Sequence, residues 1–187
     1  MSIISKVRDE VLRLNQWYIE NVDNYNFWEQ HIKFVTKNAV MLAERYGADT
    51  EIVELGALLH DIALVSNIGT KADHHTNGVV IARSLLTKFG YSCDRLEKVL
   101  GCIEHHRSSK YTTNIEELCV ADADILAHYD NIPMCFEVAY KFKNMTNATK
   151  EEWITYFSKD YNDLSDKTKE VFKDKYLQII DTLFGSL

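Results

Sequence analysis

Apolar residues recur along this chain at intervals of three and four, the spacing that gathers them on one side of an α-helix, while strand-like alternation between turn clusters is scarce. The pattern predicts a first amphipathic helix over about residues 3–22 and a second over about 27–46, stopped by Gly47. In the second, His31, Phe34, Val35, Leu42 and Ala43 share one broad face, so His31 is expected to look inward. A third helix starts with Asp49 or Thr50 as its cap and carries Val53, Gly56, His60 and Ala63 along one side. Gly56, one turn before His60, has no Cβ and lets another helix come close. The polar loop SNIGTKAD leads into a helix from about His74 to Phe89, closed by Gly90. The next starts at Asp94, with Glu97 completing a capping box, and ends around Arg107. Another begins near Thr113, with Glu116 in the matching position, and runs to about Tyr129. Pro133 fits the first turn of a following helix, and Thr149 with Glu152 reads as the cap of one more. The last, over about 166–183, should dock through Val171, Tyr176, Ile179, Ile180 and Leu183.

With 187 residues, 7 Gly and 1 Pro, these segments fit one all-α domain spanning 1–187 with a core of useful size. The cysteines at 93, 102, 119 and 135 form no Cys-x-x-Cys pair and read as reduced thiols on helix faces, not as a disulfide framework. The opening residues MSIISKVRDE lack the apolar stretch of a signal peptide, and no apolar run approaches the roughly 20 residues of a membrane span. A soluble, cytoplasmic protein with no membrane partner is expected. The net charge of −7 argues against a grip on polymeric nucleic acid, yet leaves room for a small phosphorylated substrate in a locally positive pocket. A homo-oligomer is compatible with everything above.

One stretch does not fit a purely structural helix. GALLHDIAL, residues 56–64, sets His60 and Asp61 inside a run that is otherwise apolar or small. Burying an ionised Asp costs several kcal/mol unless a partner compensates it, and a bound metal is one such partner. Histidines stand at 31, 60, 74, 75, 105, 106 and 128, mostly in the inner or terminal turns of predicted helices. Imidazoles and carboxylates converging from separate helices are how bundles build sites for Zn, Mn or Fe, and the cation offsets the buried carboxylates. His128, isolated near a helix end, reads instead as a core histidine hydrogen-bonded to a carbonyl.

The order His31, then His60-Asp61, then a later Asp in ADADIL resembles the HD superfamily of metal-dependent phosphohydrolases, named for the adjacent pair. The likeness extends from His31 to about Asp130 through LLHDIAL, HHTNGVVIARSLL, CIEHHRSS and VADADILAHYD. It implies an HD-type helical bundle, with a motif-bearing core over about 26–130 and C-terminal helices over about 131–187 that carry no such motif. Carried over residue by residue, it implies His31, His60, Asp61 and one aspartate of ADADIL as metal ligands. Asp122 and Asp124 lie about 200° apart on a helix, so one of them faces the site. The family's Ala-Asp-x-Leu pattern favours Asp124, with Asp122 orienting a ligand or capping a neighbouring helix end.

The same resemblance implies second-metal ligands at His74, four residues before Gly78, and at His106 in an Ile-x-x-His stretch, with Asp61 bridging. One or two divalent ions are expected, with the single-ion arrangement preferred, drawn from Mn, Fe, Mg, Zn, Co or Ni. The implied activity is hydrolysis of a small phosphate ester or nucleotide by a metal-activated water. Asp61, His74, His105 and His106 are the candidate catalytic groups, and Arg107 and Lys71 the candidate phosphate contacts. Leu64 stands where some nucleotide-cleaving relatives carry a Glu, and Ala63-Leu64 replaces the Gly-Lys of HDIGK. Those differences count against the deoxynucleotide monophosphatase and guanosine-tetraphosphate hydrolase mechanisms. RSSKYTT replaces a Gly-Tyr-Pro signature after His106, which counts against cyclic di-GMP. Two alternatives are a diiron oxygenase built on the same ligands and a non-catalytic ligand-binding domain.

Overall fold

The computed structural model describes residues 1–91 and 93–185, the side chains of Cys93 and Phe142 excepted. Ser2 opens the first helix, α1 (Ile3–Asn21), its hydroxyl accepting the Ser5 amide at 3.2 Å. The second predicted helix divides. A turn of π-helix over Trp28–Ile32, closed by the Lys33 amide reaching the Trp28 carbonyl, leads into α2 (Lys33–Tyr46). Such turns insert one extra residue and swing the following side chains around the axis, and they recur at functional sites. His31 sits in this one. Gly47, in the left-handed region at φ 73°, ends α2 as expected.

Asp49 caps α3 (Thr50–Leu59), accepting the Glu51 and Ile52 amides at 3.2 and 3.3 Å. The helix does not run on to Ala63. It breaks at His60-Asp61, where Asp61 takes φ −103° and ψ 17°, and restarts as the single turn α4 (Ile62–Val65). The break matters because neighbouring residues on an unbroken helix point about 100° apart. With Asp61 outside helical geometry, both side chains of the pair turn toward one centre.

The remaining elements are α5 (His74–Lys88), α6 (Cys93–His105), a 3₁₀ turn over Ser109–Tyr111, α7 (Ile115–Asp130), α8 (Ile132–Phe142), α9 (Lys150–Asp163) and α10 (Asp166–Phe184). Asp94 lies within the first turn of α6 instead of capping it, and Glu97 pairs with Arg83 instead of closing a box. The residue ahead of Cys93 is outside the described ones. Asn114, not Thr113, caps α7 by accepting the Glu116 and Glu117 amides. Pro133 sits in the first turn of α8. The Thr149–Glu152 box at α9 forms in both directions, at 2.7 and 3.3 Å. On α10 the buried stripe is Thr168, Phe172, Tyr176 and Ile180, whereas Val171 is 43% exposed.

The fold is an all-helical domain, with no strand among the described residues. Its axis is α7, which packs against α2, α3 and α6 on one side and against α8, α9 and α10 on the other. The core runs through Leu55, Leu58, Leu59, Ile103, Val120 and Phe157. Gly56 meets α6 closely: a Cβ built there would lie 2.6 Å from Cys102 Cβ, so the missing side chain lets α3 and α6 approach. Cys102, Cys119 and Cys135 are free, buried thiols. No helix is long and apolar enough to cross a membrane among the described residues.

Candidate metal centre

Five places in the fold deliver the polar groups gathered at this core. The π-turn before α2 supplies His31, the α3–α4 break supplies His60 and Asp61, α7 supplies Asp124, and the facing ends of α5 and α6 supply His74 and His106. His60, Asp61, His74 and His106 are buried, and so is His31. Their ligand atoms fall into two groups, His31–His60–Asp124 and Asp61–His74–His106.

In the first, His31 Nε2 lies 3.1 Å from His60 Nε2 and 2.9 Å from Asp124 Oδ1, and His60 Nε2 lies 3.9 Å from that oxygen. In the second, His74 Nε2 lies 2.9 Å from His106 Nε2 and 3.2 Å from Asp61 Oδ1. Asp61 joins the two: Oδ1 faces His74 and His106, while Oδ2 lies 3.4 Å from His60 Nε2 and 3.8 Å from His31 Nε2. A divalent cation with nitrogen ligands at about 2.0–2.1 Å places neighbouring donors roughly 3–3.4 Å apart, and the observed separations bracket that range.

The rings are preset for such a role. His60 Nδ1–H donates to the Ala57 carbonyl at 2.7 Å, His74 Nδ1–H to Lys71 at 2.8 Å, and His106 Nδ1–H to Ile103 at 2.6 Å. A carbonyl only accepts, so each bond fixes a proton on Nδ1 and leaves Nε2 as the lone pair. Two neutral rings in that state cannot hydrogen-bond to each other, so His74 and His106 at 2.9 Å require a positive charge between them. The donor set of neutral imidazoles and carboxylates suits a divalent ion in each group.

The electrostatics agree. Burial would raise Asp61 and Asp124, but the surrounding imidazoles His60, His31 and His106 hold both carboxyls well below the usual range. Burial would lower His60, yet Asp61 and Asp124 push it up to about 9. His106 goes down to about 4, through burial and the nearby charge of His60.

Other expected residues lie elsewhere. His105 points away from the cluster, its Nδ1 2.7 Å from Glu117 Oε2. Arg107 is exposed and donates to the Ala72 carbonyl at 3.0 Å, tethering the loop before α5. Lys71 is exposed in that same loop. Asp122 faces the opposite way from Asp124 and accepts the Ser165 amide at 2.8 Å and the Thr168 hydroxyl at 2.6 Å, so it secures the start of α10. His128 is not bonded to a carbonyl through its ring: Nδ1 lies 2.9 Å from Asp160 Oδ2, and the side chain is 32% exposed. Two neighbours of the site carry no signal in the sequence. Asp160 comes from α9, a helix without motifs, and Tyr25 is pushed up to about 12 by burial and by the charge of Asp61.

A family model described as the HD domain matches residues 28–128, more than half of the chain, and the protein belongs to that family. Among solved structures, the fold is shared with YpgQ of Bacillus subtilis, crystallised in complex with ADP, at 23% identity over 96% of this chain and 95% of that one, with a TM-score of 0.65. An HD-superfamily hydrolase from Bacillus thuringiensis superposes at 20% identity over 96% and 92% of the two chains, with a TM-score of 0.68. A predicted HD superfamily hydrolase from an uncultured Thermotogales bacterium does so at 20% identity over 94% and 88%, with a TM-score of 0.66. No curated protein sequence matches the chain.

Proposed function

We propose that this protein is a metal-dependent phosphohydrolase acting on a small phosphate ester, with nucleotides the favoured class. The observation that carries the reading is the pair of ligand groups sharing Asp61, and above all the Nε2 atoms of His74 and His106, which face each other at 2.9 Å with both Nδ1 protons committed to backbone carbonyls. Such an arrangement calls for positive charge at its centre and matches the chemistry of the HD domain family. The ADP in the B. subtilis YpgQ complex supports a nucleotide.

In this reading His31, His60, Asp124 and Asp61 hold one cation, and Asp61 with His74 and His106 holds a second. Bound there, a divalent ion acidifies water and polarises a phosphoryl oxygen. The protein's own groups do the rest. Asp61, held well below the usual carboxylate range by its imidazole neighbours, is ionised at neutral pH and able to accept a hydrogen bond that orients an attacking water. Lys71, exposed on the loop that ends at His74, is available to hold a phosphate by a charge-assisted hydrogen bond. Its backbone meanwhile fixes the His74 tautomer. His105 and Arg107, turned to Glu117 and Ala72, are left outside the reacting group.

The test is turnover of a panel of nucleotides and phosphomonoesters after stripping and reloading with Mn, Mg, Co, Ni or Fe. Phosphate release that depends on the added ion supports the proposal. Product formed only with iron and with consumption of dioxygen would make it an oxygenase. Metal binding without turnover of any phosphate ester would leave a ligand-binding domain.

A further inference from the structure

His128 lies one turn after Asp124 on α7, so the two side chains emerge on the same face of that helix. Its ring lies against that of His31, with centroids 5.8 Å apart and planes 29° from parallel. The charges of Asp124 and of Lys71 both act on it. The imidazole therefore stands at the rim of the first ligand group. Nδ1 is committed to Asp160 at 2.9 Å, which leaves Nε2 as the atom for an outside group. Unlike the buried rings of the metal centre, this side chain is 32% exposed, so a ligand has access to it. Asp160 is only 25% exposed and comes from α9, which packs on α7. An oriented carboxylate–imidazole pair is how proteins aim one ring nitrogen at a ligand, and an imidazolium so held donates a charge-assisted bond to a phosphoryl oxygen.

From this juxtaposition we infer that His128 is a substrate contact, its Nε2 holding a phosphate oxygen beside the first ligand group, and that Asp160 is the positioning residue behind it. The inference rests on the phosphohydrolase reading and extends it: the C-terminal helices complete the substrate site. It also separates two roles for the same pair, because a tie between α7 and α9 alone needs only the Nδ1 bond.

The experiment uses the full chain loaded with Mn²⁺ and inorganic phosphate as the probe, with affinity read by calorimetry and metal content by mass spectrometry. His128→Asn keeps an amide able to reach Asp160 but removes the Nε2 position, and His128→Ala removes both. Both variants should retain metal and melt near the wild-type temperature while binding phosphate ~10-fold or more weakly, the loss expected for a hydrogen bond to a charged group. Asp160→Asn should weaken phosphate binding by a smaller factor. Wild-type phosphate affinity in His128→Asn overturns the contact and leaves a structural tie. Loss of metal in His128→Asn, with the fold intact, also overturns it by moving His128 into the metal cluster. Failure of the metal-loaded wild type to bind phosphate instead strikes the phosphohydrolase reading beneath it.

Discussion

The two ligand groups around Asp61 are built from similar residues but differ in charge and anchoring. His31–His60–Asp124 has a carboxylate of its own besides its share of Asp61, whereas His74 and His106 have only that share. A dication gains more from two carboxylates than from one, so the first group should fill first and hold tighter. Anchoring runs the other way. Both rings of the second group have Nδ1 fixed by a backbone carbonyl, while His31 Nδ1 is buried without a partner among the described residues. In the proposed metal centre the first group, with only His60 anchored at Nδ1, would draw its affinity from charge, and the second from preset ring orientation.

Removing what both groups share should have the largest effect. Asp61→Ala should release ions from both, with losses beyond the roughly 100-fold typical of supporting partners, and abolish turnover. Far-UV circular dichroism should change little, because the apolar faces of the bundle remain. Next come variants that divide the groups. Asp124→Ala should eliminate the tighter ion and leave a weak one, while His106→Ala should leave the tight ion in place, as read by Mn²⁺ titration with electron paramagnetic resonance. Equal losses from the two would erase the proposed order.

A smaller effect is expected from the helix contact that sets the groups side by side. In Gly56→Ala the new Cβ would lie 2.6 Å from Cys102 Cβ and 3.3 Å from Val120 Cγ2, so α3 has to shift from α6. About 1–3 kcal/mol of stability should be lost, read from the urea midpoint. The smallest effect is on pH dependence. His60 is raised from an ordinary 6.5 to about 9 by Asp61 and Asp124, against the opposing pull of burial. Its contribution to the metal-free protein is fully present below pH 6.5 and fades as pH climbs through about 9. A cation displaces that proton, so the rise in melting temperature on adding Mn²⁺ should grow by a few degrees between roughly pH 6.5 and 8.5. A gain that shrinks over that interval would contradict the assigned charge state.

Periodicity was enough to place most helices, because each buries one continuous stripe, and the caps at Asp49 and Thr149 are visible as residue types. The residues that meet in the two buried clusters are legible through motif order. The backbone features that aim them are not. No residue type in NFWEQHI announces a π-turn, and Leu-His-Asp-Ile lacks the Gly or Pro that usually marks a helix break. The Thr113 cap missed by one residue because Asn114 offers an equally good acceptor. The apolar pattern points Val171 inward, whereas the buried stripe on α10 runs one residue later, through Phe172. His105 and His106 are alike in sequence, and only the fold shows His106 in the cluster with Asp61 and His74 and His105 at Glu117. Asp160 could not be singled out at all, since it meets His128 across 32 residues of chain with no motif around it.

Whether these imidazoles and carboxylates share a cation is decided by diffraction at the manganese absorption edge from crystals soaked in Mn²⁺. The expected result is an anomalous peak bounded by His31, His60, Asp61 and Asp124, with a second, weaker one bounded by Asp61, His74 and His106. Ordered side chains with no peak between them would contradict it.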